Sequence, residues 1–527
     1  NGADGNTAVG FRAGYDLTTG GGNTFLGAES GANVVGGADN VIIGKGAGAT
    51  TTAGLEMVLI GRSAGQSGDI TTGAIGAIGI GHDSLKAVTS GGRNTAIGYE
   101  ALSTATELTH NVAIGWQTMK DSSATTSHRN IGIGSFVMDS IGSNVAADNV
   151  AIGYNNLTNL TTGDGNTVLG SQAGVQLNAG TSNVIIGFQA GDATTGGSSN
   201  VYIGAGAADV IVSGDGNVVV GKDAFGGVAG SDCNHNVAVG LDAMLGNGSS
   251  TGDGNIGIGK GAMTAFTTAA HNVVIGHNAG IAMTAAGQNV YIGKDCAEAS
   301  TDGDYNVVVG HGSYKTASGN SANYNTVVGW EAAKLMTTNG SNTCIGAKAG
   351  DVITTASACT IVGYGADPSA NNAEKQIVIG YNFAGNGDNK VSLGSQDGYV
   401  WNSFTANNTW TQVSDVRLKK NINDDGLGLE FINELRPVTF NWKPKSEVDP
   451  QFIEDSLNNK GEKDTETLIH GLIAQEVKSA MDKVGNTTFN GWEEGIDGQA
   501  VSREMFITPL IKAVQELSAK VTALEKE

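Results

Sequence analysis

A serine and a lysine near position 414 form the pattern in this chain that suggests covalent chemistry. Ser414 opens the segment SDVRLKKNI, and Lys419 follows five positions later. A serine hydroxyl is a weak nucleophile that needs an adjacent base, and Lys419 is the nearest side chain that could serve. A lysine acts as a base only as a neutral amine, a form that burial or a like charge such as Arg417 would favour. The pattern predicts a serine–lysine dyad that requires no histidine.

The same segment also has a purely structural interpretation. Serine and aspartate are preferred at helix N-caps, because their side-chain oxygens accept hydrogen bonds from backbone N–H groups of the first turn. Ser414 and Asp415 would then cap a helix that begins near Val416. The two interpretations are compatible, since such a helix would present Lys419 one turn further on.

Two further motifs follow, LRPVTFNW at 435–442 and HGLIAQEV at 470–477. The three motifs in this order resemble the C-terminal intramolecular chaperone of phage tail fibres and endosialidase tailspikes, a serine peptidase family. The resemblance implies a small α+β domain over 414–527 that trimerises a fibre and then releases itself. It also implies scission between Val413 and Ser414, because the family's serine attacks the carbonyl of the preceding residue. A tethered nucleophile has an effective molarity of about 10⁵ M or more, so a bare dyad can suffice for one turnover.

Composition separates this region from the rest of the chain. Residues 1–400 hold 74 of the 82 glycines, whereas residues 401–527 hold four of the five prolines and are richer in charge. The net charge of −22 argues against nucleic acid and anionic membranes as partners, because phosphate binding needs a basic patch. No apolar run approaches the 18 or so residues of a membrane span, so we expect no membrane insertion. An upstream segment is also expected, since the chain begins almost at a repeat.

Four cysteines lie singly in the glycine-rich part, without the spacing of metal ligands. We expect them to be small core residues, and we expect neither a metal nor a cofactor. They are Cys233, Cys296, Cys344 and Cys359.

Residues 1–394 form an internal repeat of Asn, three apolar residues and Gly, as in NTAVG, NVIIG, NVAIG and NTVVG. The 23 signature glycines run from Gly10 to Gly394; most are 17 residues apart, five spacings are 19 and one is 20. So short a repeat with β-branched residues and no helical period predicts one coil of a parallel β-solenoid, or β-roll, per copy. At about 4.8 Å per coil the rod would be roughly 110 Å long. The pattern also resembles the head repeats of trimeric autotransporter adhesins.

Alternation along the tripeptide suggests an orientation for each strand. The first and third residues are expected to point into the coil and the middle residue, such as Ile185 or Val219, to point outward. Because the middle residue is almost always uncharged, a strand so arranged would need a second layer, supplied by two other subunits of a homotrimer. The repeated Asn should form a ladder of amides between coils. The Gly should permit a turn conformation that other residues resist.

The position four residues after the signature glycine varies in size. Many coils have Gly there, whereas every 19-residue coil has a bulky residue, which we expect to pin a longer turn against the rod. These bulky residues are Met119, Met138, Phe225, Met244 and Tyr314.

The residue directly after each signature glycine forms a row that could bind a ligand. It is often aromatic or basic, which fits either a saccharide-contacting stripe or an outward row under little constraint. Examples are Lys45, Arg62, His82, Tyr99, Trp116, His277, Lys294, His311, Trp330 and Tyr364.

Two elements flank the chaperone motifs. Residues 395–413 are predicted to form an aromatic neck packed around a trimer axis, with Tyr399, Trp401, Phe404 and Trp410. A heptad pattern near 503–527 predicts a short coiled coil. Its apolar positions are Ile507, Leu510, Val514, Leu517, Val521 and Leu524.

These observations favour a homotrimeric viral tail fibre that is assembled in the host cytoplasm. Its partners would be a host cell-surface glycan or protein and upstream virion tail proteins, and its only enzymatic activity would be self-cleavage by Ser414 and Lys419. One alternative is a tailspike depolymerase acting on surface polysaccharide, although the nearly unbroken repeats leave no room for a separate catalytic domain. The other is a cellular trimeric adhesin.

Overall fold

The computed structural model divides the chain into two compact units, Asn1–Val413 and Ser414–Glu527. The structure describes residues 2–122, 127–141, 146–227, 233–246, 248, 250–316, 322–404, 414–444, 447, 466–495 and 498–526.

The first unit is the predicted parallel β-solenoid, with one short strand in each coil. Successive strands pair in parallel and in register, so that each tripeptide lies directly beside the next. Turns complete each coil between strands, and among the described residues no strand exceeds six residues. The strands are β1 (Thr7–Val9), β2 (Thr24–Leu26), β3 (Val41–Ile43), β4 (Val58–Ile60), β5 (Ile78–Ile80), β6 (Thr95–Ile97), β7 (Val112–Ile114), β8 (Ile131–Ser135), β9 (Val150–Tyr154), β10 (Thr167–Ser171), β11 (Val184–Ile186), β12 (Val201–Ile203), β13 (Val218–Val220), β14 (Val237–Val239), β15 (Ile256–Ile258), β16 (Val273–Ile275), β17 (Val290–Ile292), β18 (Val307–Val309), β19 (Thr326–Val328), β20 (Thr343–Ile345), β21 (Thr360–Val362), β22 (Ile377–Tyr381) and β23 (Lys390–Ser395).

The strands face the opposite way from the sequence prediction. From β2 to β22 the middle tripeptide residue is fully buried inside the coil, as Ile185 and Val219 are, while the first and third residues are half-buried or exposed. The predicted orientation is therefore wrong. A strand's period of two residues separates two faces but does not say which one lies inward. The middle position tolerates residues from Gly79 to Tyr202 because a neighbouring core position varies with it.

That neighbouring position lies four residues after the signature glycine. The bulky residues expected to pin turns have a left-handed backbone, with φ of 49° at Met244, and their side chains are fully buried in the coil. The expectation that they lie against the outside of the rod is wrong. They fill the interior.

The two core positions complement each other in volume. Small middle residues accompany large partners, as in Gly79 with Leu85, while large ones accompany glycine, as in Val168 with Gly174. A Cβ placed on Gly79 would lie 3.2 Å from Leu85 Cδ1. Because protein interiors are close-packed, this exchange of volume keeps coils of different sequence at one diameter. Two 19-residue coils depart from it by combining valine with Phe225 and with Tyr314. The four cysteines are all buried in this core, as predicted, and burial raises the pKa of Cys296 to about 12.

The predicted asparagine ladder is confirmed. Fifteen successive asparagines, from Asn94 to Asn342, form fourteen contacts in which the Oδ1 of one accepts from the backbone N–H of the next at 2.8–3.1 Å. Asn183 also donates from Nδ2 to Asn166 Oδ1 at 3.0 Å and to the Gly197 carbonyl at 2.8 Å. The ladder satisfies polar groups that would otherwise be buried unpaired.

The signature glycine is also required sterically. At Gly187 the φ angle is 143°, and an added Cβ would lie 2.3 Å from the carbonyl oxygen of Gly204 in the next coil. No other residue fits so close an approach between two backbones.

The C-terminal end of the solenoid differs from the predicted neck. Strand β24 (Gly398–Ser403) pairs antiparallel with β23. Tyr399 packs on Phe383 with ring centres 5.6 Å apart, and Lys390 Nζ lies 4.3 Å from the ring centre of Trp401. The first part of the neck is therefore a strand that covers the last coil. Trp410 lies outside the described residues.

The second unit is a small α+β fold, as predicted. It contains helices α1 (Leu429–Glu434), α2 (Ala474–Lys483) and α3 (Ile507–Leu524), and strand pairs β25–β26 (Val438–Phe440, Ile469–Gly471) and β27–β28 (Trp492–Gly495, Gly498–Val501). Its core is apolar and comprises Leu427, Phe431, Val477, Ala480, Met481 and Phe506. Among the described residues, no helix is long and apolar enough to cross a membrane.

Candidate functional site

The structure brings the two predicted dyad residues together. Lys419 Nζ donates a hydrogen bond to Ser414 Oγ at 2.6 Å. The two residues flank a single 3₁₀ turn, Val416–Leu418, which shortens the path between them enough for the lysine stem to fold back. The contact is the geometry that a nucleophile and its base require, which is about 2.6–3.2 Å between heavy atoms.

Asp415 holds the turn between them. Its Oδ1 accepts from the backbone N–H of Arg417 at 2.8 Å, so the predicted capping role belongs to Asp415, on a 3₁₀ turn and not on an α-helix. Its carboxylate also pairs with the Arg417 guanidinium at 2.6 Å. This side-chain hydrogen bonding lowers the pKa of Asp415 and raises that of Arg417.

The pairing changes the expected electrostatics of the site. Arg417 was a candidate for the like charge that disfavours a protonated Lys419, but its charge is compensated by Asp415. Lys419 and Ser414 are both exposed, so burial within one chain does not supply the effect either. Val413, whose carbonyl the serine would attack, lies outside the described residues.

The other two motifs meet each other in the folded unit. Strand β25, from the first motif, pairs with β26, from the second, and sets Thr439 opposite His470. The Arg436 guanidinium forms an ion pair with the Glu476 carboxylate, which lowers the pKa of Glu476. Each motif thus supplies one partner to a strand pair and one to an ion pair.

An apolar groove of about 380 Å³ adjoins this strand pair. Leu435, His470 and Phe506 lie along it, and Leu510 at the start of α3 closes one side. The apolar side chains of the predicted heptad on α3 are exposed in the single chain. Val514 is 64% exposed and Leu524 is 71% exposed.

A comparison with protein-family models identifies this region. Residues 414–486 match the family described as chaperone of endosialidase. The matched range begins at Ser414 and includes all three motifs. The C-terminal unit therefore carries an intramolecular chaperone domain of the endosialidase type. No curated protein matches the chain.

One surface of the solenoid is not predicted from the sequence. The first and third tripeptide residues, taken to be core, form two parallel columns of β-branched and apolar side chains along the outside of the sheet, which we call the outward face. Val307 and Ile379 are 40% and 42% exposed. The outward face could have been recognised from its uniform residue types. The first and third positions are nearly always Val, Thr, Ile or Leu, whereas the middle position ranges from Gly to Tyr. Among the described residues, no group of three or more His, Cys, Asp or Glu side chains could hold a metal.

Proposed function

We propose that the protein is a subunit of a homotrimeric viral tail fibre whose C-terminal chaperone drives assembly and then releases itself by one self-cleavage. The observation that carries this proposal is the 2.6 Å contact between Lys419 Nζ and Ser414 Oγ, at the start of the segment that matches the endosialidase chaperone. The solenoid is the part that remains as the fibre.

Cleavage proceeds in two steps. Lys419, as a neutral amine, takes the proton of Ser414 Oγ while that oxygen attacks the Val413 carbonyl carbon. The Val413–Ser414 C–N bond breaks, and the proton goes to the departing α-amino group, leaving Val413 esterified to Ser414 Oγ. Water then hydrolyses the ester, which yields a Val413 carboxylate and a free Ser414 N-terminus.

Three chains associate through the outward face of the solenoid and the heptad row of α3. A continuous apolar strip of this length on one chain marks an interaction surface, because soluble monomers rarely expose such patches. The exposed dyad fits this scheme. Lys419 in one chain is solvated, and packing of neighbouring chains around it would supply the burial that favours its neutral form.

The proposed location is the virion tail fibre, assembled in the host cytoplasm and attached to upstream tail proteins. The exposed surface of the solenoid would contact a glycan or protein on the host cell.

Light scattering and intact mass of the purified full chain test the proposal. We expect three copies in the particle, and two fragments that meet at Val413 and Ser414. A monodisperse monomer, or a new N-terminus elsewhere, contradicts it.

A further inference from the structure

The row of residues that follows the signature glycines differs in charge from the rest of the protein. None of its 23 members, from Phe11 to Ser395, is acidic, although the chain has 51 acidic and 29 basic residues. Eight are Lys, Arg or His and eight are aromatic. In the five-residue strands these positions pair directly, as Ser135 does with Tyr154. The row is therefore a continuous column of aligned side chains about 4.8 Å apart.

Within this row, one arrangement occurs twice, twelve coils apart. Each copy spans seven successive coils, or roughly 29 Å, and runs from basic residues to a tryptophan, a small residue and a tyrosine. The small residues are Ser135 and Ala347. The N-terminal stripe contains Lys45, Arg62, His82, Tyr99, Trp116 and Tyr154. The C-terminal stripe contains Lys260, His277, Lys294, His311, Trp330 and Tyr364.

The aromatic ends present a ring face. In the N-terminal stripe His82 stacks on Tyr99 at 5.4 Å and Tyr99 on Trp116 at 4.2 Å, with planes within 16° of parallel. Trp116 is next to Ser135, which has no ring, and the following ring, Tyr154, is two coils or about 10 Å away. The gap leaves one face of the tryptophan uncovered by the row. Trp116 is 49% exposed.

The C-terminal stripe repeats this gap with a different neighbour. Trp330 is followed by Ala347, and Lys348 Nζ lies 5.2 Å from the centre of the Trp330 ring. The lysine side chain is flexible, so a ligand that stacks on the exposed ring can displace the ammonium group. The ammonium group can then pair with a carboxylate of the ligand.

Three cations of the basic ends have no ion-pair partner within the described part of the chain. Lys45, Arg62 and Lys260 are exposed, and no carboxylate lies within ion-pair distance of them among the described residues. Other members are partly paired. Asp295 forms an ion pair with Lys294 and has His277 Nδ1 at 3.9 Å.

We propose that the two stripes are binding sites for an acidic saccharide chain, with pyranose rings on Trp116 and Trp330 and sugar carboxylates on the basic ends. Sugar C–H groups suit the negative face of an aromatic ring. Free cations on a protein of net charge −22 are complementary to an anion that the remaining surface repels. These sites add a ligand class to the proposed recognition of the host surface. Only their biological role depends on that proposed function.

The stripes also have to stay outside a trimer interface. Three copies of a basic column facing one axis would bring like charges together at a cost. In the proposed trimer the row would therefore lie outside the interface, where a ligand can reach it.

Isothermal titration of the full chain with oligogalacturonate and with hyaluronan oligosaccharides tests the proposal. We expect two sites per chain, affinity that falls with added salt, and no binding of a maltooligosaccharide of equal length. Trp116→Ala and Trp330→Ala should each remove one site, and the double variant should weaken binding at least tenfold. Lys45→Gln with Arg62→Gln should weaken the N-terminal site alone.

Matched controls come from the same row between the stripes. Phe188→Ala and Lys222→Gln, whose lysine pairs with Asp223, should leave both sites intact. Absence of binding to both acidic sugars, or equal binding by the double tryptophan variant, overturns the proposal. Tighter binding of single-stranded oligothymidylate overturns it in favour of nucleic acid. Trimer mass and self-cleavage, measured on the same samples, report separately on the proposed function.

Discussion

At the scale of single residues, Ser414 and Lys419 are joined across one 3₁₀ turn that Asp415 and Arg417 stabilise. The contact needs no distant residue. Both side chains are exposed in the single chain, and the Arg417 charge close to Lys419 is compensated by Asp415. The Ser414–Lys419 contact is thus formed within a single chain.

Replacing either dyad residue should stop cleavage without preventing assembly. We expect Ser414→Ala and Lys419→Ala to cut at least about 100-fold more slowly, because the nucleophile or its base is absent. Lys419→Arg should behave like the alanine variant, since a guanidinium stays protonated. Lys420→Ala is the control and should cut normally. Intact mass of the four proteins decides the assignment, and efficient cleavage of Ser414→Ala would refute it.

Asp367 should make the last coils sensitive to pH. It occupies the core position four residues after Gly363, and burial, together with the nearby Asp351 carboxylate, raises the pKa of Asp367 to about 6. A carboxyl whose pKa is higher in the folded state favours folding at low pH, and this stability is lost as pH rises through about 6.

Asp367→Asn should therefore stabilise these coils at pH 7, by about 1–2 kcal/mol after allowance for solvent screening, and flatten their pH dependence between 4 and 7. Hydrogen exchange, corrected for intrinsic rates, measures the effect locally. The exposed Asp397→Asn is the control. An unchanged pH profile in Asp367→Asn would show that another group is responsible.

At the scale of the element, a coil is defined by its backbone and filled by two exchangeable side chains. The asparagine ladder and the glycine contacts repeat with little variation, whereas the middle residue and its core partner change together. Coils with Gly79 and Leu85, or with Val168 and Gly174, thus have the same outline. This separation explains how irregular sequences stack in a regular rod.

Exchanging the two volumes within one coil tests this complementarity. Gly79→Val alone overpacks the core, at about 1–3 kcal/mol. Leu85→Gly alone leaves a cavity, at about 2–5 kcal/mol for a deletion of this size. The double variant copies the natural pair Val168 and Gly174 and should recover most of the loss. Thermal unfolding in a double-mutant cycle measures the coupling, and additive losses would contradict the scheme.

At the scale of the whole molecule, the solenoid has a polar core ladder and an apolar exterior strip. The middle residues cannot mediate association, because they are enclosed in their own coil. In the proposed trimer, association would use the first and third residues of each strand, which are partly exposed from β2 to β22.

Charges on the outward face should separate assembly from folding. We expect Ile186→Asp with Ile203→Asp to yield folded monomers, since both side chains are only partly buried in one chain and an interface charge would be desolvated. Tyr202→Asp should unfold its coil, because that ring is fully buried. Asn159→Asp, in an exposed turn, is the control. Light scattering and circular dichroism distinguish the outcomes; trimeric Ile186→Asp/Ile203→Asp particles would exclude this face as the interface.

Several features follow from the sequence alone because they depend on local chemistry or on strict periodicity. The repeat predicts parallel stacking, the recurrent Asn predicts a ladder, and five residues of separation place Lys419 within reach of Ser414. Each requires information from only one coil or one turn. The same holds for the four buried cysteines.

Other features were decided by the tertiary structure. Strand alternation defines two faces but does not say which face is enclosed. The folded coil decides this, because the middle residue has to share the interior with the core position four residues after the signature glycine. Met244 was therefore misplaced, because its side chain fills the interior of the coil. Antiparallel pairing made a strand of the expected neck, and the Asp415–Arg417 pair removed a charge that sequence proximity had assigned to Lys419. In each case the deciding partner is a contact that spacing along the chain does not specify.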